Sequence, residues 1–219
     1  MKTQPAEENI SSYIIQAQEQ ELKRIALELH EGVGQTLYSL YTGMQFIEGT
    51  VDPSIKRYME DMTQLMEKTI QEVRLLAVEL HPPTLTTLGL LSAMKTYLKL
   101  YTSTYGIEVE FNATGDEVQL SEKERITLFR VCQEALANIA IHADTIRAEI
   151  TFSWEAEGLF ISIRDFGKGF DVDAVLSFSP GLASMIERMG LIGGSCAISS
   201  KVQEGTSIVF SLPICKNND

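Results

Sequence analysis

The sequence predicts two domains: an all-α helical hairpin that pairs with a second copy as a dimeric four-helix bundle, followed by an α+β sandwich. Three observations predict it. Two long stretches carry apolar residues at helical spacing and are parted only by Val51-Asp52-Pro53-Ser54, which makes an αα-hairpin. Each of these helices has one apolar face and little in a lone hairpin to cover it, so two chains are expected to pair. Beyond His81-Pro82-Pro83, short alternating segments mix with helical ones, the pattern of a sheet with helices on one face. The expected divisions are a flexible N-terminal segment over residues 1–12, the hairpin over 13–83 and the sandwich over 84–219.

The first helix is expected from Ile10 to about Gly49, because Ile14, Ala17, Ile25, Leu29, Val33, Leu40, Gly43 and Ile47 recur three, four, seven or eight apart. Pro53 cannot continue that helix and suits the first turn of the next. The second runs from about Ser54 to Leu80, with Ile55, Met59, Met62, Met66, Ile70, Val73 and Ala77 on its stripe. A helix is expected from Leu88 to Tyr105, then a half-buried strand over Ile107–Phe111. Ser121 and Glu124 form a capping box that opens a helix running to about His142. Strands follow over Thr145–Trp154, with Ile146, Ala148, Ile150, Phe152 and Trp154 facing one way, and over Leu159–Asp165. A flexible stretch is expected from Gly167 to Pro180. A helix from Leu182 to Leu191 stops at Gly193-Gly194, and strands over Ser195–Ser200 and Thr206–Leu212 close the domain.

Composition narrows the function. With 18 Lys and Arg against 30 Asp and Glu, the net charge is −12, which argues against direct nucleic-acid binding. No run of about 18 apolar residues occurs, so no membrane segment is expected. Cys132, Cys196 and Cys215 lack metal-ligand spacing and read as free thiols of a reducing cytoplasm. The chain is expected there, alone or as the cytoplasmic part of a longer sensor.

Some positions do not fit a purely structural reading. On the helix from Ser121, Leu128, Cys132, Ala135 and Ile139 form the core stripe. Glu134, Asn138 and His142 stack at a spacing of four on another face, with Arg130 in the same row. A solvated face is the plain alternative; a carboxylate and an amide in register also suit a hydrated Mg²⁺. Asp165 follows Leu159, Ile161 and Ile163 at period two, so it points into the apolar face and needs a partner. A purine exocyclic amine fits it; so does a β-turn. Gly167 and Gly169 allow close backbone approach, and they stand where a calcium loop would need oxygen ligands. Thr206 is in phase with Ile208, Phe210 and Leu212, as a cavity hydroxyl or a simple strand start. His30 sits one residue off the apolar stripe, between Glu28-Leu29 and Glu31, with Gln35 downstream. A zinc-protease helix is excluded, because Gly34 stands where the second His is needed.

In these residues the chain resembles the two-component histidine kinases, in the subfamily that phosphorylates NarL-type response regulators. Glu28-Leu29-His30-Glu31 with Gln35 resembles the phosphoacceptor box. Gln133-Glu134-Ala135-Leu136-Ala137-Asn138 with His142-Ala143 resembles the N box. Asp165-Phe166-Gly167-Lys168-Gly169-Phe170 resembles the G1 box. Gly181-Leu182, Met185, Glu187-Arg188 and Gly193-Gly194 resemble the G2 region, and Gly205-Thr206 with Leu212-Pro213 the final strands. The resemblance implies a GHKL, Bergerat-type ATP-binding sandwich as the second domain. It implies that His30 attacks ATP, that Glu31 takes its proton, and that Gln35 orients water to dephosphorylate the regulator. It implies that Glu134 and Asn138 serve Mg²⁺, and that Asp165, Thr206, His142, Gly167, Gly169, Gly181 and Leu182 surround ATP, with Gly167 to Pro180 as a lid. The implied partners are a second copy, through the hairpin, and a response-regulator receiver domain. Ile141, Phe166, Ser179, Ile186 and Glu31 depart from the usual pattern. The alternative they raise is a kinase-derived phosphotransfer or regulator-docking module with weak or no ATP turnover.

Overall fold

The computed structural model describes residue 17, residues 20–176 and residues 178–214. The expected segment 1–12, Ile14 and Cys215 lie outside the described residues. The chain divides into two compact units, one ending at Pro83 and the other beginning at Thr84.

The first unit is a helical hairpin. Helix α1 (residues 20–48) contains a π-helical stretch, Glu28–Gly34, followed by regular α-helix over Gln35–Glu48. Helix α2 (Pro53–Leu80) packs along it. Pro53 takes its first turn, and the Asp52 carboxylate caps it by accepting the Ser54 N–H at 2.9 Å. On α2 the expected stripe is the shielded one: Ile70 and Ala77 are buried, and Met59, Met62, Met66 and Val73 half-buried, while Ile55 at its start is exposed. On α1 the expected stripe holds at Ile25 and Leu29, while Ala17 before them is exposed. Beyond Leu29, Val33, Leu40 and Ile47 are 46 %, 52 % and 48 % exposed, whereas Gly34, Leu37, Tyr41 and Met44 are half-buried. The reason is the π turn. It closes i→i+5 hydrogen bonds and so absorbs one extra residue, rotating everything after it by about 100°.

The second unit opens with two helices, α3 (Pro83–Thr87) and α4 (Gly89–Tyr105), the first of them not expected from the sequence. Strand β1 (Glu108–Thr114) is followed by helix α5 (Glu122–Asn138), which widens into a second π turn, Ile139–Ala143. Then come β2 (Arg147–Trp154), β3 (Gly158–Asp165), a short helix α6 (Val172–Leu176), α7 (Pro180–Gly190), β4 (Ser195–Lys201) and β5 (Gly205–Pro213). The sheet order is β1-β2-β3-β5-β4. It is mixed: β1 runs parallel to β2, and the other pairs are antiparallel.

Alternation fixes which face is buried. Ala148, Ile150 and Phe152, Leu159, Ile161 and Ile163, and Ile208, Phe210 and Leu212 are buried, and their neighbours in sequence are mostly less so. The covering helices supply Leu90, Met94, Tyr97 and Tyr101 from α4, Leu128, Phe129, Cys132 and Leu136 from α5, and Met185 and Met189 from α7. The capping box at Ser121 forms as expected, Ser121 N–H to Glu124 Oε2 at 2.7 Å and Glu124 N–H to Ser121 Oγ at 3.3 Å. Ile146 departs from expectation. It precedes β2 and is 80 % exposed, because the pleat that would turn it inward begins only at Arg147. The stretch expected to be flexible contains α6, whose start is capped by the Asp171 carboxylate. Among the described residues no helix is long and apolar enough to cross a membrane.

Candidate functional site

In the second unit a cavity of about 280 Å³ opens between α5, β3, β5 and α7. Asn138, His142, Asp165, Gly169, Leu182 and Thr206 all line it; in sequence they span some seventy residues. Its floor is apolar, from Ile139, Ile163 and Ile208. Asp165 ends β3 at that floor with 3 % of its surface exposed. Its Oδ1 accepts the Gly167 N–H at 2.8 Å, which leaves the other oxygen for a donor from the cavity. A buried carboxylate beside apolar walls is costly without such a donor. Thr206 lies on the same wall, its hydroxyl paired with Ser200 Oγ at 3.0 Å.

The opposite end is polar. The Asn138 side-chain nitrogen is buried without a hydrogen-bond partner, an arrangement that costs about 1–3 kcal/mol unless something fills it. Its amide offers a donor for a phosphate oxygen and an acceptor for a hydrated cation. Glu134 stands beside it, so close to α7 that a Cβ on Gly181 would lie 2.2 Å from Glu134 Oε1 and 3.8 Å from Asn138 Nδ2. Gly181 is thus what allows α7 to approach the carboxylate. Helix α7 starts here, capped by Ser179 with Pro180 in its first turn; its free N–H groups suit an anion. His142 closes the second π turn and is exposed, but still reaches the cavity.

The G1-like loop is held by its own backbone. Lys168 donates its N–H to Ala143 O at 2.8 Å and accepts the Gln203 N–H at 2.7 Å. A Cβ on Gly167 would lie 2.0 Å from Ala143 O, and one on Gly169, at φ +56°, 2.0 Å from Lys201 O. These glycines therefore admit neighbouring strands of chain; Gly169 also lines the cavity, and Gly167 sits behind it. The Lys168 side, a cation at the rim, went unnoticed in the sequence, and so did the cap at Ser179, although Ser-Pro before an apolar run is a helix-start signal.

Three of the unusual residues point elsewhere. Phe166 lies outside the cavity, with the Arg147 and Arg164 guanidiniums 5.5 and 5.0 Å from its ring centre. Ile141 is 71 % exposed and Ile186 41 %.

In the first unit His30, Glu31 and Gln35 are all exposed on α1. Leu27, Glu28, Glu31, Val33 and Leu37 line an open groove of about 750 Å³ along this helix. The π turn surrounds His30, and Gly32 and Gly34 lie within it. Among the described residues no cluster of three or more His, Cys, Asp or Glu side chains gathers in a metal-binding arrangement.

Known proteins share both units. Residues 21–85 match the family described as Histidine kinase, and residues 123–216 the family described as Histidine kinase-, DNA gyrase B-, and HSP90-like ATPase. The signal transduction histidine-protein kinase/phosphatase DegS of Brevibacillus brevis is 32% identical over 206 residues, covering 92% of this chain and 53% of that protein. The oxygen sensor histidine kinase NreB of Staphylococcus carnosus is 31% identical over 211 residues, covering 91% of this chain and 58% of that protein. The chain thus spans little more than half the length of these relatives. Among solved structures, the histidine kinase domain of the Erythrobacter litoralis EL346 blue-light activated histidine kinase superposes with a TM-score of 0.51 at 12% identity, covering 82% of this chain and 94% of that one, a likeness of fold. With a histidine-kinase helical region followed by an ATPase region of the gyrase B and HSP90 type, in the order its motifs predict, the chain belongs to the histidine kinases.

Proposed function

We propose that the chain is the core of an ATP-dependent histidine kinase that phosphorylates its own His30, passes the phosphoryl group to an aspartate of a NarL-type response regulator, and also dephosphorylates that regulator. The observation that carries this is the two-ended cavity, with a buried carboxylate on an apolar floor and an unpartnered amide beside a helix start. Adenine suits the first end, through its amine on Asp165, and phosphates the second. A His30 ring nitrogen attacks the γ-phosphorus, an N–P bond forms, and the bond to the bridging oxygen breaks to release ADP. Glu31 accepts the imidazole proton, which keeps the nitrogen nucleophilic. The regulator's aspartate then attacks the same phosphorus, and the N–P bond breaks. Gln35 orients the water that later hydrolyses the aspartyl phosphate.

Glu134 and Asn138 supply oxygen donors of the kind a hydrated Mg²⁺ takes, and they fit one. When bound, Mg²⁺ would neutralise phosphate charge. The proposed assembly is a homodimer through the hairpin. Its support is the row Val33, Leu40 and Ile47 on α1 and Ile55, Tyr58, Leu65 and Leu76 on α2, all exposed in the single chain and mostly spaced by sevens, as in a bundle seam. The docking-module alternative draws on Ile141, Phe166, Ser179, Ile186 and Glu31; of these Ile141, Phe166 and Ile186 do not line the cavity, Ser179 does, and Glu31 lies beside His30 on α1.

The test is incubation with γ-labelled ATP and Mg²⁺. Acid-labile, base-stable label is expected on the wild type and absent from His30→Gln. Label that persists in the variant removes His30 from its role. Nucleotide binding without label in the wild type favours the docking module.

A further inference from the structure

Side chains on either side of the π turn at Glu28–Gly34 obey different phases. Leu22, Ile25, Ala26 and Leu29 are shielded before it, and Gly34, Leu37, Tyr41 and Met44 after it. A regular helix would instead continue from Leu29 through Val33, Leu37, Leu40, Met44 and Ile47, a wholly apolar row in steps of four or three. Leu37 and Met44 serve both phases. Changing register therefore exchanges Gly34, Tyr41 and Glu48 for Val33, Leu40 and Ile47, and the inner face stays largely apolar either way. The inner face of the hairpin therefore locks neither form; the regular form draws Val33, Leu40 and Ile47 out of the proposed dimer seam, so the switch also couples to pairing of the two copies.

The backbone is equally permissive. Two glycines stand inside the turn, each a weak helix former. A Cβ on Gly34 would lie 3.2 Å from Leu29 O, the carbonyl five residues back across the widened turn, whereas one on Gly32 would meet nothing within 4 Å. Gly34 thus removes a tight contact that belongs to the wide form alone.

The register decides which groups share a face. In a regular helix five residues separate His30 and Gln35 by about 140° around the axis. With one residue absorbed by the wide turn, the separation falls to roughly 40°. The wide form thus sets Gln35 on the face of His30, and the regular form sets it on the far side.

We propose that Glu28–Gly34 is a one-residue register switch that determines whether Gln35 shares the face of His30, with Gly34 as the positioning residue that permits the wide form. This rests on the reading of His30 as phosphoacceptor and Gln35 as the water-orienting group. An aspartate must come to the face of His30 to receive the phosphoryl group. An aspartyl phosphate docked on that face meets Gln35 only in the wide form, which supports dephosphorylation. The regular form turns Gln35 away while His30 keeps Glu31 beside it, so phosphorylation proceeds unopposed.

Deleting Gly32 removes the extra residue, making the turn regular while the helix on both sides keeps its inner face. Gly34→Ala keeps the chain length and acts in the opposite sense, because its Cβ crowds Leu29 O in the wide form and so favours the regular form that turns Gln35 away. Expected for both are wild-type helix content and wild-type labelling of His30 from γ-labelled ATP. Hydrolysis of a NarL-type receiver domain charged with acetyl phosphate is expected to stay at the wild-type level or above in the deletion, where four residues of regular helix keep Gln35 on the face of His30, and to fall up to about fivefold in Gly34→Ala. Amide exchange over residues 29–35 is expected to slow in both, a readout independent of phosphoryl chemistry. Labelling and hydrolysis falling together in Gly34→Ala, hydrolysis unchanged in Gly34→Ala, hydrolysis lost in the deletion, or loss of helix in both variants overturns the switch. Absence of His30-dependent label in the wild type is a different failure, that of the phosphoacceptor reading, and the exchange measurement still decides the register.

Discussion

Asp165→Asn isolates the chemistry assigned to the cavity floor. The substitution keeps the side chain's shape, and the amide oxygen can still accept the Gly167 N–H that Asp165 accepts at 2.8 Å. What changes is the second atom, from a charged acceptor to a donor. A hydrogen bond to a charged group contributes about 1.5–3 kcal/mol, and more when its partner is left buried and unpaired. An amine facing an amide NH₂ has neither the charge nor an acceptor. The expected loss is therefore about tenfold to hundredfold in the Kd for ADP. Stability should move little, because Asp165 is 3 % exposed and a neutral amide is cheaper to bury than a carboxylate. The assay is titration calorimetry with ADP and inosine diphosphate, which carries an oxygen where adenine carries its amine. Wild type should favour ADP strongly. In Asp165→Asn the new donor meets that oxygen, so the preference should collapse or invert. Equal weakening toward both nucleotides, with the melting temperature unchanged, would refute the assignment of Asp165 to the amine.

Two further perturbations test the surroundings. Gly169→Ala places a Cβ 2.0 Å from Lys201 O at φ +56°, so urea unfolding of the second unit should show a loss of about 2 kcal/mol or more; a change under about 0.5 kcal/mol would mean the loop readily rebuilds. Burial pushes the Cys196 thiol up to about 11, and only the thiolate is nucleophilic. In a Cys215→Ser background, iodoacetamide at pH 8 should therefore modify Cys196 roughly a hundredfold more slowly than free cysteine, with the rate climbing as pH rises toward that value. Cys132, fully buried and shifted further in the same direction, should react only after unfolding. Rapid labelling of Cys196 at pH 8 would contradict its burial.

Side-chain periodicity carried most of the fold into the sequence. Asp165 could be placed on the inner face by counting in twos from Leu159, and Thr206 by counting back from Leu212, because strand alternation leaves no other face for them. Ser121 and Glu124 announced a helix start through two reciprocal hydrogen bonds that both formed. Ser179 and Asp171 carried similar local signals, which the expectation of a flexible stretch from Gly167 to Pro180 passed over. Asn138 was legible as one of a row, but its unpartnered nitrogen was not. Whether a polar atom finds a partner depends on what α7 brings across from Gly181, which is a matter of tertiary approach.

What counting could not reach is the phase of the backbone itself. Every stripe drawn from sequence assumes one hydrogen-bonding register throughout a helix, and both π turns break that assumption. At Ile139–Ala143 the break leaves His142 exposed rather than stacked on Asn138. At Glu28–Gly34 it moves the inner face of α1 from Val33 and Leu40 to Gly34 and Tyr41. In the first case the displaced residue is one assigned to the cavity; in the second they are stripe residues that follow His30. A regular α-helix satisfies its backbone with no help from side chains, so an irregular one must be held by packing or by a ligand that needs it. The turn at Glu28–Gly34 surrounds the proposed acceptor His30, and the one at Ile139–Ala143 supplies Ile139, His142 and Ala143 to the cavity proposed for the phosphoryl donor, so both irregular stretches fall where the proposed reaction has its groups.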